Sequence, residues 1–143
     1  MTQEEKQLLL KDLCARLPYG INVHHRGSIE EISEISPEGE FKNRRYDAWF
    51  GIETCKPYLR PMSSMTEKEK SELNERFHNI GYFFTQEPPY DYGLMVQHAD
   101  AGSIIISEFS EVYDWLLSHH FDYRGLIPIG LALEAPEDMY KTE

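Results

Sequence analysis

The chain is poor in cysteine, in long apolar runs and, over its second half, in basic side chains. Cys14 and Cys55 are its only cysteines. Two cysteines cannot build a disulfide framework, and these show none of the C-x-x-C spacing of a zinc knuckle. Both read as reduced, half-buried thiols, Cys14 on a helix face and Cys55 at a strand end. No stretch approaches the roughly 20 apolar residues of a membrane span, and the opening MTQEEKQLLLKD is too acidic and too short in its apolar run for a signal peptide. The expected compartment is the cytoplasm. A glycine-rich phosphate loop is missing too, with no G-K-[ST] and no G-x-G-x-x-G, and Pro128 stands between Gly125 and Gly130.

What remains is acid and aromatic. The 143 residues carry a formal charge of −11. Residues 1–60 hold nine basic and ten acidic side chains, and residues 61–143 hold five and fifteen, so nearly all the excess lies in the second part. From Phe77 onward there are eleven acids, only Arg124 and Lys141 as bases, and twelve of the eighteen aromatics. Affinity for a duplex or an anionic membrane rests on Lys and Arg neutralising phosphates, so neither is an expected direct partner. A ring-rich, anionic surface suits a protein partner instead.

The length fits one domain. Thr2 with Glu5 is a capping box that predicts a helix, with Leu9, Leu10, Leu13, Cys14 and Leu17 as its stripe and Pro18 and Gly20 as its end. From Ile21 to about Cys55 the period changes to two. Ile21 and Val23, then Ile29, Ile32 and Ile35 across a register break, then Tyr46, Trp49 and Phe50 predict three antiparallel strands, separated by turns at Arg26–Ser28 and Ser36–Gly39. The prolines of Lys56–Pro61 predict an extended link. A second box, Thr66 with Glu69, opens a surface helix to about His78 with the stripe Leu73, Phe77 and Ile80. Residues 81–93 form an irregular Pro/Tyr-rich loop, and Leu94–Val96 with Ser103–Ile106 make a hairpin. Ser107 caps a third helix whose face is Phe109, Val112, Tyr113, Leu116 and Leu117, with His119 and His120 in its last turn. A tail of short turns ends in a frayed Met139–Glu143. The expected fold is a single α+β domain spanning 1–143, with an antiparallel sheet of about five strands and three helices, the first and last covering one face.

Catalytic chemistry finds little purchase. Neighbouring histidines on a strand point to opposite faces and those on a helix diverge, so neither His24-His25 nor His119-His120 chelates as a pair. His98 and Asp100 with another histidine would be needed for a metal site. Ser63 and Ser64 lack a G-x-S-x-G elbow and read as polar residues ahead of a helix cap. No catalytic residue, metal or cofactor is assigned. Tyr58, Arg60, Tyr123 and Arg124 have the most local character: two arginines beside tyrosines against an acidic background, with the composition of an interface hot spot and a strong pull toward bidentate carboxylate pairing. These four are the candidate binding residues.

The segments KPYLRPMSSMTEKEK and DWLLSHHFDYRGLIPIGLALEAPEDMY resemble a group of small uncharacterised bacterial proteins of gut anaerobes, tied to prophage or other mobile elements. The resemblance covers two blocks, residues 56–70 and 114–140, and implies no activity and no catalytic residues. The leading expectation is a cytoplasmic accessory protein that engages a protein partner through its acidic, aromatic C-terminal half, with a nucleic-acid mimic as its sharper form. The alternative is a small hydrolase or metal-dependent enzyme working through histidine and carboxylates. A homodimer joined through the tyrosine-rich loop is a third reading.

Overall fold

The computed structural model describes residues 1–76, 82–85, 93–96 and 106–140. In chain order these form helix α1 (Gln3–Arg16), strands β1 (Asn22–His25), β2 (Ser28–Ile35), β3 (Glu40–Asn43), β4 (Phe50–Gly51) and β5 (Cys55–Leu59), helix α2 (Glu67–Arg76), strands β6 (Tyr82–Thr85) and β7 (Gly93–Val96), helix α3 (Ile106–Ser118) and strand β8 (Leu133–Glu134). A six-stranded sheet runs β4-β3-β2-β1-β5-β8, and β6 with β7 makes a separate antiparallel pair. Every pairing in the larger sheet is antiparallel except β5 with β8. The fold is α+β, with one strand more in its main sheet than the expected five.

Thr2 and Glu5 close the α1 capping box reciprocally, at 3.1 Å in both directions. A 3-10 turn at Leu17–Tyr19 and Gly20 at φ 79° then end the helix and turn the chain into β1. Between β1 and β2, Arg26 and Gly27 both take positive φ, the two-residue turn whose twist matches that of paired strands. Its register sets Val23 opposite Glu30. Glu30 is therefore turned inward beside Arg45, and Ile29 faces out at 53% exposure, not into the core as the period suggested. A bulge between Ile32 and Glu34 restores the apolar face, so Ile32 is buried and Ile35 packs on the core.

Four further expectations are corrected. Tyr46 and Trp49 lie exposed in a loop, because Asn43 Oδ1 accepts from the backbone N–H groups of Arg45 and Tyr46 and ends β3; Phe41 and Phe50 supply the inward side chains instead. The Lys56–Pro61 link begins as strand β5. Pro57 is tolerated there because β8 pairs only with Tyr58 and Leu59, beyond the proline. Within the expected loop, Tyr82–Thr85 is a strand, as its aromatic and β-branched residues favour, and β7 pairs with it. Ile106 already belongs to α3, so Ser107 lies inside that helix and is not its cap. Residues 77–81, 86–92 and 97–105 lie outside the described residues, and with them Phe77 and Ile80 of the second stripe and Ser103–Ile105 of the proposed hairpin.

Two apolar clusters form. Leu9 and Leu13 of α1 pack on Ile21, Val23, Phe41 and Leu59 of the sheet. Leu73 of α2 packs with Val112, Trp115 and Leu116 of α3, with Met65 and with Phe121. Trp115 takes the inward place expected for Tyr113, which is exposed. Cys55 is buried, and burial and the charge of Glu53 push its thiol up to about 12, whereas Cys14 is exposed rather than half-buried.

The clusters are joined by a buried ion pair. Asp12 and Arg16 are both 0% exposed. Arg16 donates Nε to Asp12 Oδ2 at 2.7 Å, Nη2 to Asp12 Oδ1 at 3.2 Å, and Nη2 again to the Phe121 carbonyl at 2.8 Å. Removing one partner of such a pair strands a charge without water. Asp12→Ala is expected to cost about 3–5 kcal/mol in urea unfolding, against less than about 1 kcal/mol for Arg44→Ala at the exposed Arg44–Glu31 pair. Replacing Asp12 and Arg16 together by Leu and Met is expected to recover most of the loss.

Candidate functional site

The segment that follows α3 organises the site. His119 N–H still donates to the Trp115 carbonyl, but His120 takes φ 65° and turns the chain back along β5. Arg60 N–H then donates to the His120 carbonyl and Asp122 N–H to the Arg60 carbonyl, both at 2.8 Å. Asp122 is buried, and its two carboxylate oxygens accept from Leu126 N and Ile127 N, which fixes the turn carrying Tyr123 and Arg124.

Arg60 is the centre of this region. Its guanidinium lies 4.2 Å above the Phe121 ring and makes a two-pronged pair with Glu69, at 2.8 and 2.6 Å. Glu69 is also the capping-box residue of α2: it accepts from Thr66 N at 3.0 Å, and its own N–H donates to Thr66 Oγ1 at 3.1 Å. One carboxylate thus ends a helix and holds β5. Burial alone would raise its pKa, but the hydrogen bonds from Arg60 and from Thr66 outweigh that and bring it from 4.5 down to about 2.

Around Arg60 opens a groove of about 650 Å³, walled by α2, the end of α3 and the tail. Glu72, Glu134 and Glu137 line it together with Lys68, His119 and Tyr140. Glu72 accepts from the indole N–H of Trp115 at 3.2 Å. The His119 ring stacks 4.1 Å from that indole, and its Nδ1 lies 2.9 Å from the Trp115 carbonyl. Glu134 and Glu137 have no ion pair among the described residues. The carboxylates of the sheet differ: Glu31 pairs with Arg44, Glu30 with Arg45, Glu53 with Lys6, and Glu34 and Asp47 with Lys42.

The four predicted residues fall into two places. Arg60 lies in the groove, and Tyr58, half-buried in β5, offers its carbonyl to the Tyr140 hydroxyl at 2.8 Å. Tyr123 and Arg124 sit together against α1. Arg124 donates Nε to Asp12 at 3.1 Å and lies 5.0 Å over the Tyr123 ring, which packs on Tyr113. Both arginines are thus engaged within the chain.

Sequence reasoning missed Tyr140, placed in a tail expected to fray. Its ring stacks on His120 at 3.7 Å and its hydroxyl accepts from Asn22 N at 3.1 Å, and burial pushes its pKa up to about 12. Residues 141–143 lie outside the described residues. His25 is buried against Phe41 and Phe50 while His24 is exposed, the opposite facing expected of neighbours on a strand. His98 and Asp100 lie outside the described residues, among which no group of three His, Cys, Asp or Glu is placed to hold a metal. No helix among the described residues is long and apolar enough to cross a membrane. No family model, curated protein or solved structure matches the chain.

The perturbed groups fix how stability responds to acid. Burial first, then the charges of Arg16, Arg60 and His119, hold His120 from 6.5 down to about 4, so between these values the unfolded chain binds a proton that the native chain does not. Stability is expected to fall as pH drops from 6.5 toward 4, and again between 4.5 and 2 as Glu69 is titrated. Urea midpoints measured against pH should show His120→Phe flattening the first interval and Glu69→Gln the second.

Proposed function

We propose that the protein is a binding module that receives a basic segment of a protein partner in the groove beside Arg60. The observation that carries this reading is the uneven use of charge. Glu30, Glu31, Glu34, Asp47 and Glu53 are paired with bases of the same chain, whereas Glu134 and Glu137 stand on the groove wall with no ion pair among the described residues, and Glu72 accepts there from an indole N–H. A lysine or arginine entering there would gain carboxylates already positioned, with the Trp115–His119 stack beside it as apolar backing. The groove draws most of its acids and rings from the C-terminal half, where net negative charge is concentrated.

The cytoplasm is the compartment we assign, supported by two free thiols, one of them exposed. A nucleic-acid mimic would be the special case in which the natural partner's basic segment is itself a phosphate-binding one.

Titration of the full chain with a lysine- and arginine-rich decapeptide tests the reading. Binding should weaken steeply between low and physiological salt, and Glu134→Lys with Glu137→Lys should reduce affinity at least about tenfold, the effect of placing like charges at two contacts. Glu38→Lys, in the exposed turn between β2 and β3, should leave it unchanged. Equal loss in both variants would mean diffuse attraction to an acidic molecule and would remove the groove from the account.

A further inference from the structure

We propose that Tyr140 closes a latent oxyanion site formed by Arg16 and His120, which opens into the groove when the segment Pro136–Tyr140 lifts. Arg16 is completely buried, yet its Nη1 has no hydrogen-bond partner among the described residues. The same holds for Nδ1 of His120. These two groups are neighbours: Arg16 Nη2 donates to the carbonyl of Phe121, the residue after His120, and the charge of Arg16 helps to depress the pKa of His120. Buried donors without partners are costly, and natural chains keep few of them. Here Arg16 Nη1 is such a donor and His120 Nδ1 is an unpartnered ring nitrogen on the segment that Arg16 holds, and His120 sits in the left-handed region, where a residue with a side chain rarely sits.

A single ring covers His120. Tyr140 stacks on His120 at 3.7 Å and is itself part of the groove lining. It packs at the edge of the first apolar cluster, accepts from Asn22 N and donates to the Tyr58 carbonyl. Pro136, Glu137 and Asp138 are exposed, and Met139 N–H bonds back to the Pro136 carbonyl. A surface segment of exposed residues anchored through one side chain opens more readily than the whole fold. What it would uncover is a guanidinium edge beside an imidazole, the donor set that takes a phosphoryl or carboxylate oxygen. Asp12 neutralises Arg16 from the other side, so an entering anion meets the free Nη1 and not a bare cation. The inference does not depend on what docks in the groove.

The test uses the full chain carrying Tyr140→Ala, with inorganic phosphate as probe and sodium chloride at matched ionic strength as control. Phosphate at tenfold its Kd should raise the Tm of Tyr140→Ala by about 3–5 °C and leave the wild type unmoved. Adding His120→Phe should abolish that response. If Tyr140→Ala does not fold, Tyr140→Phe keeps the ring and loses both hydrogen bonds. Amide exchange should then quicken at Ala135–Tyr140, and phosphate should protect the His120–Phe121 amides. A response in the open variant no larger than in the wild type, one that survives His120→Phe, or no protection in Tyr140→Phe overturns the proposal.

Discussion

The position of nearly everything that matters follows from one guanidinium removed from water. Arg16 reaches the protein interior because Asp12, one helical turn earlier, neutralises it, and its remaining reach is spent on the carbonyl of Phe121. That bond ties the first helix to the segment after the last one. The segment in turn clasps β5 through the backbone bonds of Arg60, and the Arg60 side chain carries the constraint on to Glu69 and the start of α2. Two apolar clusters with no sequence continuity are thereby held in one register. A buried pair of this kind is weak evidence for stability and better evidence for uniqueness, since mispositioning either end leaves a charge in the core.

The same arrangement explains why the arginines that look most like contact residues are not free to be contacts of the simplest kind. Arg60 and Arg124 each meet a carboxylate of the chain, and each lies over an aromatic ring. Arg124 fixes its turn against α1, while Arg60 shapes a groove lined by more acid than base. Nearer the sheet, Glu30, Glu31, Glu34, Asp47 and Glu53 meet bases of the chain in ion pairs that contribute little to stability. The groove thus sets Glu134 and Glu137, which have no ion pair among the described residues, on a concave surface.

Local chemistry was legible in the sequence. Both capping boxes close as Thr2–Glu5 and Thr66–Glu69 predict, and the turns at Arg26–Gly27 and Ser36–Gly39 fall where glycine permits positive φ. Features settled by partners far along the chain were not. Whether Ile29 or Glu30 faces the core depends on a hairpin register, and a strand through Pro57 depends on where β8 stops. Tyr140, three residues from the end, owes its burial to Asn22 and Tyr58. The groove itself could not be read, because Glu69, Glu72, His119, Glu134 and Glu137 come from three separate stretches and acquire meaning only together. Arg60 was singled out for its isolation among acids, and it lies in the groove with Glu69 as its partner.

Zero-length carbodiimide coupling of the protein to a lysine-bearing partner peptide is the most direct test of a carboxylate groove. Activated carboxylates form amide bonds only with amines already in contact. The account predicts isopeptide links at Glu134, Glu137 and Glu72, lost in high salt. Links spread evenly over the exposed acids, including Glu4, Glu38 and Glu40 on the far elements, would contradict it.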